Sequence, residues 1–299
     1  GLCVIDLRKI QANSTHPQDR VTLLAAFVPL IPNDSLHVLP SLIPEAVLST
    51  KESNGVTREA AFDLLVSMGQ KLASGGRVKR HLIKGMEDAM NEDEVEATAE
   101  EYVTMLSAGL AATSPHMIAA TIGALGRLTW EFRGEFAFHF HKDSQLTPSH
   151  EATLKDEYQT ELLETIVVFL GSANREIVKA SLGFVKVAVV SFDSALVTPS
   201  LPALVPALVN WSHEHSNHFK VKIRHLLERM IRKYGYDAIE RYVPEDDKKL
   251  VSSIRKRQNR LKKKKAAAAE MDVDRDLDDD EVRRRFECFP FRCESPLHN

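Results

Sequence analysis

Two ten-residue segments of this chain repeat one another almost residue for residue. LPSLIPEAVL (Leu39 to Leu48) and LPALVPALVN (Leu201 to Asn210) place a leucine, a proline and an aliphatic-proline pair at the same offsets. A proline inside a helix removes a hydrogen bond and clashes with the preceding turn, at a cost of about 3 kcal/mol. Two copies therefore point to one bend or turn start reused by a repeating unit. Each copy is expected to follow a helix and a short turn.

The segments around them read as helix after helix, with no convincing strand pattern. Val56, Ala60, Ala61, Leu64, Leu65, Met68 and Leu72 recur at helical spacings. Ser114-Pro115 supplies a cap and a proline at the first helical position, followed by Ile118, Ile122, Leu125 and Leu128. Phe219, Ile223, Leu226, Leu227, Met230, Ile231 and Tyr234 form a third stripe, with Gly235 placed to end it. The helix from about Asn174 to Val190 is apolar nearly all round, so it is expected to lie between neighbours on both sides. Gly123 and Gly126 within the second pattern read as a close-packing contact.

The helices group into pairs over about residues 16–48, 55–111, 114–172, 174–211 and 217–265. Their uneven length favours HEAT or armadillo-like units over tetratricopeptide repeats, whose period is about 34. Two polar insertions without a sustained period, Gly75 to Glu96 and Arg133 to Glu151, account for the longer units. The expected fold is all-α, a HEAT/armadillo-like helical-repeat solenoid with a disordered charged C-terminal tail; a closed helical bundle is the alternative. The expected organisation is helical repeats over residues 1–245, a basic terminal helix over 246–265, and an acidic, divergent tail over 266–299.

The basic helix is the clearest functional signal. KKLVSSIRKRQNRLKKKK (Lys248 to Lys265) holds ten Lys or Arg and no Asp or Glu, in a chain whose formal net charge is only -3. A one-sign block repels itself unless a polyanion is near, and nucleic acid is the expected polyanion. Leu250, Ile254 and Leu261 recur at helical spacing and are expected to dock the helix. The candidate RNA-binding or nuclear-localisation residues are Lys248, Lys249, Arg255, Lys256, Arg257, Arg260, Lys262, Lys263, Lys264 and Lys265. Lys222, Arg229 and Arg232 fall opposite the apolar stripe before it and extend the basic face as additional phosphate contacts. Arg77, Lys79 and Arg80 after Gly75 and Gly76, with Lys71 one turn earlier, read first as a solvated inter-helix loop and second as phosphate contacts. After Ala266 to Ala269 the charge inverts: Glu270 to Glu281 carries eight acidic residues. With few apolar side chains to offset chain ordering, this tail is expected to be disordered and able to fold back on the basic run.

Hydrophobic content of 43% supports a continuous core. Gly1 is not an initiator methionine and no secretory pattern follows it, so the chain reads as part of something longer. No apolar run is expected to reach the length that spans a bilayer, which argues against a membrane partner. Cys3, Cys288 and Cys293 are odd in number and sparse, as in a reducing compartment.

Signals for catalysis or metal are weak. His213, Glu214, His215 and His218 lie close together without the HExxH spacing and read as a polar inter-helix linker. His139 and His141 alternate with aromatics, and Cys288 and Cys293 have no second pair. No phosphate loop, nucleophile elbow or kinase signature is present. The expectation is a non-enzyme with no cofactor, no metal and no small-molecule substrate.

The run from Lys222 to Lys265 resembles the C-terminal end of the ribosomal RNA processing protein twelve family, nuclear HEAT-repeat proteins of pre-ribosome assembly. The likeness is most specific at Arg224 to Arg229 (RHLLER), Gly235-Tyr236, Val243-Pro244-Glu245 and Ile254 to Arg257 (IRKR). Upstream, Ile43 to Glu52 and Thr57 to Gly69 also resemble the family, so the likeness covers roughly Gly1 to Lys265. It does not extend to Arg283 to Asn299, onto which no function is carried. The resemblance implies a karyopherin-like solenoid in the nucleus and nucleolus, shuttling to the cytoplasm. It also implies pre-ribosomal RNA and pre-ribosomal proteins as partners, with nuclear transport factors in addition. The implied role is pre-rRNA processing and small-subunit (pre-40S) maturation and export. A second class stays open: a protein-only HEAT scaffold or nuclear transport factor whose basic run is only a localisation signal.

Overall fold

The computed structural model describes residues 17–79, 94–132, 156–214 and 216–271. The chain divides into two compact units, Gly1–Ser200 and Leu201–Asn299. Both are built from helices, so the architecture is all-α and of the HEAT/armadillo-like repeat kind.

The first unit begins with α1 (Pro17–Phe27). A 3-10 segment, Leu36–Leu42, leads into α2 (Ile43–Ser49), and α3 (Gly55–Ala73) follows. Next come α4 (Ala99–Ser107), α5 (Pro115–Glu131), α6 (Asp156–Phe169), α7 (Arg175–Ser191) and the single turn α8 (Ser194–Val197). Helices joined by short connections pack on each other: α2 on α3, α4 on α5, α6 on α7. The three longer members then stack in series, α3 on α5 and α5 on α7. Of the expected groupings, 55–111 does bring α3 and α4 into contact, whereas α5 and α6 of the 114–172 group each pack on α7. Short connections leave neighbours in contact, while the second long insertion separates α5 from α6 along the chain.

These longer helices start at Gly55, Pro115 and Arg175, evenly spaced along the chain. Asn54 and Asn174 cap theirs with side-chain oxygens that accept from backbone N–H groups. Ser114 holds the same position before Pro115 but makes no side-chain cap bond. Their buried faces are in register: Leu65, Leu125 and Val185 occupy one position, and Leu72, Phe132 and Phe192 another. Val56, expected in the first stripe, is 59% exposed, because the first turn faces inward through Thr57, which is buried, and not through Val56. The all-round apolar character of α7 is accounted for by packing on α5 and α6.

Glycine marks the tightest approach at Gly69, where a Cβ would stand 2.6 Å from the Phe132 ring and 3.0 Å from that of Tyr102. At Gly123 a Cβ would meet nothing within 4 Å among the described residues, so of the expected pair Gly123 makes no close contact there, while Gly126 is buried. The root of the first insertion is also not a plain loop. Arg77–Lys79 (β1) pairs antiparallel with Glu94–Glu96 (β2), placing Arg77 opposite Glu96 and Lys79 opposite Glu94. Val78 is fully buried and anchors this ladder, a single apolar position too short to register as alternation.

The second unit contains α9 (Leu201–Glu214), α10 (Ser216–Tyr234), α11 (Tyr236–Glu240) and α12 (Lys248–Met271). α9 packs on α10, with Trp211 edge-on to Phe219 at 5.9 Å between ring centroids. Phe219, Ile223, Leu226, Leu227, Met230 and Ile231 are buried as expected. Gly235 ends α10 with φ of +90°, a conformation that favours glycine.

The duplicated segments bury equivalent positions: Leu39, Leu42, Ile43, Ala46 and Val47 in one, Leu201, Leu204, Val205, Leu208 and Val209 in the other. Their backbones differ. The first changes from 3-10 to α between Leu42 and Ile43, while the second continues as α with Pro206 inside it. One stretch, Ser194–Trp211, corrects the expectation about apolar length, since it is apolar enough by length and composition to cross a bilayer. Pro199, Pro202 and Pro206 interrupt it, and Leu204, Val205 and Leu208 are buried, as in a core helix.

Candidate nucleic-acid interface

All ten cations of the basic run lie on one element, α12. Asp247, Val251 and Ile254 are buried at helical spacing, and Gln258 continues the line by donating to the Glu228 carbonyl on α10 at 2.9 Å. This seam differs from the expected one. Leu250 is half-buried and Leu261 is 51% exposed, because the helix turns Val251 inward and the seam ends near Gln258.

The structure separates the cations into two groups. Lys248 donates to the Glu245 carboxylate at 2.5 Å, and that bond raises its pKa. Arg255 stacks over the Tyr236 ring at 4.2 Å from its centroid, and Tyr236 in turn donates to Glu240. Arg257 reaches Glu228 at 3.7 Å. These three hold α12 to α10, α11 and the preceding turn. Lys249, Lys256, Arg260 and Lys263 are exposed and have no ion-pair or hydrogen-bond partner among the described residues. Lys262, Lys264 and Lys265 are on the same helix, with side chains outside the described set.

On α10, Lys222 and Arg232 are exposed, and Arg232 has a long 3.4 Å contact to the Glu228 carbonyl. Arg229 is half-buried instead of fully outward. Burial, and then the Arg232 charge, lower its pKa, and no carboxylate partner lies near it among the described residues. Arg77 and Lys79 face acidic positions across the strand ladder, which supports neither the open-loop nor the phosphate reading for them. Arg80 lies outside the described residues.

Sequence reasoning missed Glu228. It meets Arg224 at 3.4 Å as well as Arg257, and so ties α10 to α12. The i,i+4 partner Arg224 was visible in the sequence; the tertiary partners were not.

Among the described residues no three His, Cys, Asp or Glu converge as metal ligands. His139, His141, His215, Cys288 and Cys293 lie outside the described residues, as do the side chains at His213, Glu214 and His218 and the tail from residue 272.

No protein-family model matches the chain. It is 38% identical over 245 residues to Ribosomal RNA-processing protein 12 of Saccharomyces cerevisiae, covering 82% of this chain and 18% of that protein. To the Putative ribosomal RNA-processing protein 12 of Schizosaccharomyces pombe it is 34% identical, covering 83% and 19%. To the human RRP12-like protein it is 28% identical, covering 86% and 17%. The chain thus spans under a fifth of the length of these relatives. Among solved structures, a designed armadillo repeat protein superimposes with a TM-score of 0.40 at 12% identity, over 83% of this chain and 97% of that one.

Proposed function

We propose, on the premise that this chain is a homologue of a segment of ribosomal RNA-processing protein 12, that it serves ribosome biogenesis as a non-enzymatic, RNA-associated helical-repeat scaffold. Its place is pre-rRNA processing and the maturation and export of the small subunit, in the nucleus and nucleolus. In this reading residues 1–245 supply the repeat surface, the part of α12 up to Lys265 supplies phosphate affinity, and 266–299, whose first residues up to Met271 continue α12, is an appended tail. The supporting observation is the division of the basic run: part of it docks α12, while Lys249, Lys256, Arg260 and Lys263 are exposed with no partner among the described residues.

Electrostatic contact with phosphates is sequence-independent and displaces counterions, so it makes binding strongly salt-dependent. RNA binding by the chain, repeated after deletion of Arg255 to Lys265, tests the proposal. The expected result is loss of most affinity and of most of the salt dependence. Unchanged RNA affinity with loss of nuclear accumulation would instead make the run a localisation signal on a protein-binding scaffold.

A further inference from the structure

The four α12 cations that are exposed and without a partner among the described residues are not scattered. At about 100° per residue, Lys249, Lys256, Arg260 and Lys263 fall within about 60° of one another. They lie on the side of the helix opposite the seam of Val251, Ile254 and Gln258. At about 1.5 Å of rise per residue they form a straight row about 21 Å long. No acidic residue interrupts α12 before Glu270. The seam and the three anchoring cations fix the direction in which the row faces.

Such an edge suits one kind of RNA better than another. Proteins that hold a single strand combine a groove that tracks the backbone with aromatic side chains on which bases stack, each worth about 1 to 3 kcal/mol. The row is on the convex outside of a helix, and α12 contains no aromatic residue. Tyr236, the ring α12 leans on, has one face under Arg255 and its hydroxyl committed to Glu240. A flexible strand would be ordered along this edge with no stacking to offset the cost. A duplex already holds its phosphates in a rigid, dense array and is recognised mainly by shape and backbone.

We infer that the row binds base-paired RNA through its phosphates. This rests on the RNA-scaffold reading above and adds the structural class of RNA. It also gives a contact number for the described part of the run: the four row cations face the ligand. At a slope of about -0.9 per contact for a duplex, log K falls with log salt at about -3.6, a loss of about 150-fold between 50 and 200 mM.

The experiment compares the full chain on a fluorescent 20-base-pair RNA duplex and on one of its strands made unable to pair with itself, across that salt range. The duplex is expected to bind at least tenfold more tightly at 100 mM salt. The variant K249Q/K256Q/R260Q/K263Q should reduce duplex affinity about 100-fold at 50 mM and make the slope shallower by about 3.6, with unchanged circular dichroism. Equal or tighter binding of the single strand overturns the duplex inference while the RNA-scaffold reading stands. Unchanged duplex binding in the variant overturns the role of the row. Absence of binding to either RNA overturns both.

Discussion

Ile254→Ala tests whether the orientation of α12, and not merely its charge, matters. Ile254 and Val251 are both fully buried and are the aliphatic anchors of the helix. Burying each contributes about 1.5 to 3 kcal/mol, and truncating a buried isoleucine to alanine costs about 2 to 5 kcal/mol once the cavity is included. That removes about half of the apolar anchorage of an element whose main contacts among the described elements are with α10, α11 and the turn Glu245–Asp247. The loss should therefore appear as local opening and not as global unfolding. In hydrogen exchange, amides of residues 248–258 should lose protection while those of α3, α5 and α7 keep theirs. The four row cations remain, so the salt slope for duplex RNA should stay near -3.6 as affinity at fixed salt falls about tenfold through lost preorganisation. Equal loss of protection in the first unit, or a slope that falls with the affinity, would refute this account of α12.

Three predictions concern the repeats. Tyr102 is buried, donates to the Leu65 carbonyl at 2.8 Å, and has its pKa pushed upward by burial. Above pH 10 the unfolded chain loses this proton and the folded chain keeps it, so stability falls as pH rises, by about 1.4 kcal/mol per unit from this group. Denaturant titrations should show Tyr102→Phe about 1 to 3 kcal/mol less stable at pH 7 and with a flatter decline above pH 10. Arg20, nearly buried, pairs with Glu45 at 29% side-chain exposure. Arg20→Met should lower stability by about 2 kcal/mol, less than for a fully buried pair, read as a shift in urea midpoint. Gly69→Val should cost about 1 to 3 kcal/mol by overpacking against Phe132. A double-mutant cycle with Phe132→Leu should recover part of that loss.

Much of the fold was legible because helix faces are written as periodic apolar positions. The stripes on α5 and α10 appear where residue spacing puts them, while the cap read at Ser114 makes no side-chain bond. Periodicity gives faces but not which face meets which, so the packing of α5 on α7, across the expected 114–172 and 174–211 groups, left no local mark. A stronger signal was present: the starts at Gly55, Pro115 and Arg175, with Leu65, Leu125 and Val185 at equal offsets, set the repeat more firmly than the proline segments did. The strand pair was missed because its register is anchored by one buried side chain, Val78.

The basic run shows a different limit. Its sequence identifies a polycation, and on charge alone Arg255, Lys256, Arg257 and Arg260 are equivalent. They are not equivalent once Tyr236 and Glu228 are brought beside α12, because those partners come from another helix and leave no mark on local spacing. Charge that is engaged inside the protein releases fewer counterions on binding than charge that is free. Replacing Arg255 and Arg257 should therefore loosen the helix more than it flattens the salt slope, while replacing Lys256 and Arg260 should flatten the slope by about 1.8 on a duplex and leave the helix docked. Measuring both quantities on both pairs distinguishes the cations that hold the interface in place from those that make it.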